Sequence, residues 1–335
     1  MTERATKKRN LRPYIVGGVF GMLGVLLLPV TGVLNFAADP EQSDLTDLYF
    51  RLASRQSIAL RSFDLAVEET DDPAMVARAA GHYEMVCADC HGSPGGPPER
   101  FARDLSPQPP LLMEQVDRWR PDARLFWTIK HGIRRTAMPA WASLQRDDEV
   151  WDMVAFLNVM PQLSESDYRA MAGTAVCADC HGERGEGGSD GQPRLDIQTP
   201  QYLENALKAF SDGTRESGTM KAAAAQLDAA AIADLAVQYG KAVRLAPEGS
   251  ARGAEIARAG VPEDDVAACD SCHGAQADPR YPRLSGQDAD YLLNQLELFT
   301  ELGVERGGAH ASIMAHAIGT LSEADMEAVA DWYGQ

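Results

Sequence analysis

Three pentapeptides hold every cysteine in the chain. CADCH at 87–91, CADCH at 177–181 and CDSCH at 269–273 set Cys87, Cys90 and His91, then Cys177, Cys180 and His181, then Cys269, Cys272 and His273 at one spacing, and no seventh cysteine remains for a disulfide. On a helical turn residues i, i+3 and i+4 share a face, so two thiols and an imidazole point the same way. That triplet suits two thioether bonds to the vinyl groups of a haem and one imidazole on its iron. Zinc would need a second cysteine pair close by, yet the motifs stand roughly ninety residues apart. A redox dithiol has no use for the histidine that follows. The expectation is three covalently bound haem c groups, with His91, His181 and His273 as proximal iron ligands.

The N-terminus carries Arg4, Lys7, Lys8, Arg9 and Arg12 against Glu3, and from Tyr14 to Ala38 there follow 25 residues without a charge. As one helix this run would reach about 37 Å, enough to cross a hydrocarbon core of about 30 Å with tilt. A signal peptide would have a shorter apolar region and a small-residue cleavage site, which NFAAD does not supply. Residues 1–38 therefore read as a cytoplasmic basic tail and a retained single-pass anchor in the inner membrane. The lipid bilayer becomes a partner, and the haem units lie in the periplasm.

Charge narrows the choice of partners. The whole chain has a formal net charge of −18, and because residues 1–13 are basic, the remainder is more acidic still. A nucleic-acid partner is excluded, whereas a redox protein with a basic docking face suits this surface.

Helices must position the three motifs. DPAMVARAAGHYEMV opens with Pro73 at a helix start and sets Val76, Ala80, Tyr83 and Val86 on one stripe running into Cys87. Stretches 146–160, 227–240 and 321–334 close the three units with stripes of Val150, Val154 and Leu157, of Ile232, Leu235 and Tyr239, and of Met326, Val329 and Tyr333. Ser322 with Asp325 reads as a capping box. No useful run alternates apolar and polar residues, so the class is all-α. The division is the tail and anchor at 1–38, a connector at 39–72 with a helix-compatible stretch at 45–69, and three tandem haem units at 73–165, 166–246 and 247–335.

Each unit resembles the class I cytochrome c fold. Residues 166–335 are similar to a di-haem cytochrome c4, through QPRL at 192–195 and YPRLSGQDADYLLNQLELF at 281–299, each upstream of a methionine and a last helix. Residues 73–165 resemble membrane-tethered mono-haem cytochromes c, through FWTIKHGIRRTAMPAWASLQRDDEVWDMVAFL at 126–157. The resemblance implies a methionine as sixth iron ligand in each unit. Met138 precedes Pro139 in a loop and has Met113 as its rival, while Met220 is the only methionine between His181 and the end of its unit. Met314 is flanked by His310 and His316, but its spacing to Leu321 equals that of Met220 to Leu227. Arg134, Arg135, Arg194 and Arg283 are candidates for haem propionates. His82 and His131 read as surface or haem-edge residues, and Trp127, Trp141 and Trp151 as packing.

Six-coordinate haems transfer single electrons without binding substrate. The chain is thus expected to be an electron carrier of a respiratory-type chain, taking electrons from a membrane redox complex or dehydrogenase and passing them to a terminal oxidase or another cytochrome. Alternatives are the cytochrome subunit of a larger oxidase, quinol-oxidising or dehydrogenase complex, and a haem peroxidase, which needs an open axial position.

Overall fold

Pro29 has no N–H to donate to a helical hydrogen bond, and the N-terminal helix stops short of it. In the computed structural model, which describes residues 12–31, 44–116, 120–173, 177–188 and 191–334, this helix is Arg12–Leu27, 16 residues long, followed by a 3-10 turn at Leu28–Thr31. At 1.5 Å per residue 16 residues rise about 24 Å, less than a hydrocarbon core of about 30 Å. Among the described residues no helix is long and apolar enough to cross a membrane. The anchor expected over 14–38 is corrected accordingly: a charge-free run is not one continuous helix. The inner-membrane placement, the cytoplasmic N-terminus and the periplasmic haem units rested on that anchor and fall with it. The basic residues at 4–9 and the end of the apolar run at 32–38 lie outside the described residues.

Contacts divide the chain into Met1–Asp47 and Leu48–Gln335. The second part is all-helical, with no β-strand among the described residues and only isolated bridges. It contains three hydrophobic clusters, each centred on a different repeat. The first gathers Val76, Ala80, Tyr83, Phe126, Trp151, Val154, Phe156 and Met160, where the helix Pro73–His82 packs on Asp147–Val159. Fully burying side chains of this size contributes about 1.5–3 kcal/mol each. Asp72 caps the first of these helices by accepting from the Ala74 N–H at 2.9 Å, with Pro73 in its first turn. In the second cluster Leu203, Ala236 and Tyr239 join Pro200–Ser211 to Ala229–Tyr239. The third gathers Ile256, Leu296, Met326, Val329 and Tyr333, where Ala251–Ala259 and Ala289–Leu302 both pack on Glu323–Tyr333. The closing stripes read from the sequence are buried, except that Leu235 is half-buried, and all but Ile232 belong to or pack on these clusters. Ser322 accepts from the Asp325 N–H, but the Asp325 carboxylate pairs with Arg252 at 2.8 Å.

Val86 departs from its stripe and is 42% exposed. The segment Tyr83–Cys87 is a π-helical turn, and the wider turn shifts the helical register so that Val86 leaves the buried stripe while Cys87 still packs on the first cluster. The connector contains the expected helix, Asp44–Arg61, with Ile58 buried near its end. The helix Glu165–Ala172, which leads toward the second motif, buries Tyr168 and Ala172 in the first cluster. Between the second and third repeats two buried glutamines reciprocate. Gln198 donates to the Arg283 carbonyl at 2.9 Å and accepts from its N–H at 2.9 Å, while Gln287 makes the same pair with Arg194 at 3.0 and 2.6 Å. This reciprocity is the signature of a two-fold-like contact between similar parts.

Candidate haem centres

Each pentapeptide occupies a short helical turn, at Ala88–His91 after Cys87, at Cys177–His181 and at Asp270–His273 after Cys269, so the expected sharing of one face by two thiols and an imidazole is met. All six cysteines are free thiols. Burial pushes the Cys87 thiol up to about 12 and the Cys269 thiol to about 11, and raises Cys90 and Cys180 as well. Thiols shifted in this direction are poor thiolate nucleophiles, the reverse of a redox dithiol. Among the described residues no cluster of three or more His, Cys, Asp or Glu side chains is gathered for a metal ion.

The imidazoles share a feature that the sequence reading missed. His91 Nδ1 lies 2.9 Å from the Pro110 carbonyl, His181 Nδ1 2.9 Å from that of Pro193, and His273 Nδ1 2.7 Å from that of Pro282. A carbonyl only accepts, so each Nδ1 carries the proton and donates, leaving Nε2 with its lone pair free for a metal. Burial lowers the proton affinity of all three rings, opposed by the bond to the carbonyl. The three rings are thus held neutral in the tautomer that an iron ligand needs. The available signal was a proline shortly before a leucine, in PPLL, QPRL and YPRL. Two tyrosines brace the motifs: Tyr83 donates to the Gly92 carbonyl at 2.6 Å and Tyr333 to Asp270 at 2.7 Å.

The three methionines sit on different supports. Met138 is half-buried in a loop that leaves the helix Asp122–His131. Its N–H donates to Thr136 Oγ1 at 3.1 Å, its carbonyl accepts from the Ile133 N–H at 3.3 Å, and the Trp141 N–H returns to the Lys130 carbonyl at 3.0 Å. Gly132, at φ 62°, starts this loop where a side chain would run into the Pro139 backbone. Its rival Met113 packs on the first hydrophobic cluster. Met220 lies in the first turn of Gly218–Ala224, its N–H donating to the cap Ser217 at 3.1 Å. Met314 lies in Ala311–Ala317 and packs on the third cluster. His316 is two residues on, about 200° around the helix, and is exposed. His310 has its ring 4.9 Å from Tyr281, whose ring is 6.5 Å from that of His273.

Other candidates shift in meaning. His82 is 5% exposed rather than a surface residue, and burial lowers its pKa to about 4. Its ring lies 4.5 Å from Trp141 and its Nδ1 has no partner. His131 is exposed with its ring 4.8 Å from Trp127. Trp151 stacks on Phe126 in the core. Among the arginines proposed for propionates, Arg194 pairs with Asp196 at 2.8 Å, Arg283 donates to the Ala242 carbonyl, Arg134 is exposed and Arg135 lies over the Phe50 ring. None of the four presents a free buried cation.

The chain is similar to known proteins. The family described as "Cytochrome C oxidase, cbb3-type, subunit III" matches residues 74–157. The chain is 33% identical over 172 residues to the thiosulfate dehydrogenase electron acceptor of Thiomonas intermedia (strain K12), covering 47% of this chain and 77% of that protein. It is 31% identical over 181 residues to cytochrome c4 of Thiocapsa roseopersicina, covering 51% of this chain and 93% of that one. Among solved structures, cytochrome c4 of Acidithiobacillus ferrooxidans is 31% identical with a TM-score of 0.40, covering 47% of this chain and 96% of that one.

Proposed function

This chain belongs to the class I c-type cytochromes of the cytochrome c4 type, and on that premise we propose that it is a three-haem carrier of single electrons. The observation that supports the count is the threefold recurrence of one arrangement, two thiols on a helical turn followed by an imidazole whose Nδ1 is tied to a proline carbonyl. Covalently held haem supplies one-electron chemistry between ferric and ferrous iron. The chain's own residues do the rest. Cys87 and Cys90, Cys177 and Cys180, and Cys269 and Cys272 form the thioethers, while His91, His181 and His273 present Nε2 to the metal. Met138, Met220 and Met314 would supply the thioether ligands, which favour a relatively high potential. Met314 is preferred to His316 because it faces the third cluster while His316 faces solvent.

The donor fits a dehydrogenase or membrane redox complex, and the name of the Thiomonas relative suggests a thiosulfate-oxidising enzyme among the dehydrogenases. The acceptor is a terminal oxidase or another cytochrome. A second reading, a cytochrome subunit of an oxidase complex, draws on the family match over residues 74–157. Mass spectrometry of the intact denatured protein, matured with a working haem-attachment system, should reveal three added haem masses. Two or fewer would overturn the count.

A further inference from the structure

Trp141 stands three residues after Met138 in the loop that carries this methionine, and only 8% of it is exposed. Its N–H returns to the Lys130 carbonyl at 3.0 Å, which closes the loop and restricts where the indole can point. The ring lies against His82, with 4.5 Å between centroids, at the end of the helix that leads into the first motif. Its pyrrole edge reaches beyond the first repeat. A side chain on Gly218 would overlap Nε1, Cε2 and Cδ1, so this edge rests directly on the backbone at the start of the helix Gly218–Ala224, two residues before Met220.

The contact is built from both sides. Glu149 Oε2 accepts from the indole Nε1 at 3.2 Å and from the Gly218 N–H at 2.5 Å, while its Oε1 accepts from Ser217 Oγ at 2.6 Å. Ser217 in turn accepts from the Met220 N–H at 3.1 Å. Beside them Arg146 donates to the Glu216 carbonyl at 3.3 Å and Ser143 to the Glu216 carboxylate. A glycine with no side chain, a shared carboxylate and a helix cap thus hold the indole between the loop of Met138 and the helix of Met220. Protein interiors are packed as densely as organic crystals, so these two supports are joined by atoms in contact rather than by solvent.

We propose that the Trp141 indole is the bridge by which the first and second haem centres exchange electrons. The proposal rests on the reading that both repeats hold haem with Met138 and Met220 as iron ligands. Electron tunnelling weakens with distance, and it weakens far more steeply across a gap than through bonded or packed atoms. An indole offers a flat π-system of large reach, so it couples two supports better than an aliphatic side chain in the same place. Trp141 acts as a positioning residue, not as a redox centre. Its Nε1 keeps the proton it donates to Glu149, no bond breaks, and the one electron given up by ferrous iron in one repeat is the one gained by ferric iron in the other. The first repeat is thereby joined electrically to the second, and through the second to the third.

The test uses full-length, haem-loaded protein with its haem count checked by mass. After a pulse-radiolysis flash that reduces only a small fraction of the haems, absorbance follows the electron as it redistributes between the first and second centres. Trp141→Phe should slow that step severalfold and Trp141→Leu should slow it further. Reduction potentials and the near-infrared sulfur-to-iron band should stay as in the wild type, so that neither driving force nor ligation has changed. Trp332→Phe, in the third repeat beside Arg258, should leave the rate as it is. A second readout stands if the Leu variant fails to fold. In wild-type protein labelled with fluorotryptophan, the fluorine signal that is missing from Trp141→Phe should shift on reduction of either haem, because low-spin ferric iron is paramagnetic and acts over short range. An unchanged rate in the variants, or a signal that follows one haem only, would overturn the bridge, whereas wild-type protein lacking haem in the first or second repeat would overturn the haem reading itself.

Discussion

A methyl group on Gly81 would stand 3.2 Å from Sγ of Cys180, so the helix that leads into the first haem motif touches a thiol of the second. Ala172, in the helix that precedes the second motif, is buried in the same cluster as Ala80. The first two motifs are thus built against each other rather than held apart by a linker.

Gly81→Val should therefore injure the second site more than the first. Overpacking of this kind costs about 1–3 kcal/mol. The expected outcome is a lower melting temperature together with incomplete haem loading of the peptide containing Cys177 and Cys180, measured by mass after proteolysis. Full loading with an unchanged melt would show that the contact is slack.

Glu149 ties the Met138 loop to the helix bearing Met220. Its carboxylate accepts from Trp141 Nε1 at 3.2 Å, Ser217 Oγ at 2.6 Å and the Gly218 N–H at 2.5 Å, and pairs with Arg146 at 3.0 Å. Gly218 lies so close to the Trp141 indole that a side chain there would collide with it. Removing one partner of a buried ion pair costs about 3–5 kcal/mol. Glu149→Ala should lose stability on that scale in urea denaturation, while Glu165→Ala, in an exposed pair, should lose less than about 1 kcal/mol.

His82 should make the protein acid-sensitive. Its pKa falls from 6.5 unfolded to about 4 folded, so the unfolded chain binds the extra proton first as pH drops. The stability it contributes is present above pH 6.5 and is lost progressively toward pH 4. His82→Phe should flatten the fall in stability across that window in denaturation curves measured at a series of pH values. An equally steep fall in the variant would remove His82 as the cause.

Met314→Ala should open or re-ligate one iron and lower its potential, leaving the other two nearly unchanged. If the three irons are alike, the near-infrared sulfur-to-iron band of the oxidised protein should lose about a third of its intensity. An unchanged band and redox titration would move the ligand to His310 or His316.

The features legible in the sequence are those that depend on neighbours within one or two helical turns. The pentapeptides present two thiols and an imidazole on one face because i, i+3 and i+4 coincide on any helix. Stripes such as Met326, Val329 and Tyr333 announce their buried face in the same way. The acceptors for the histidines were hidden because Pro110, Pro193 and Pro282 reach back over loops of different lengths, 19, 12 and 9 residues, that only folding closes. Val86 was misplaced because a π-helical turn breaks the period on which the stripe was counted. The N-terminal run misled because lack of charge is a property of residues, whereas spanning length is a property of one continuous helix, and this one ends at Leu27. Arg215 and Arg306 look like ordinary surface arginines until the second and third repeats pack. Their burial exists only in the folded chain, where each guanidinium lies over a phenylalanine ring.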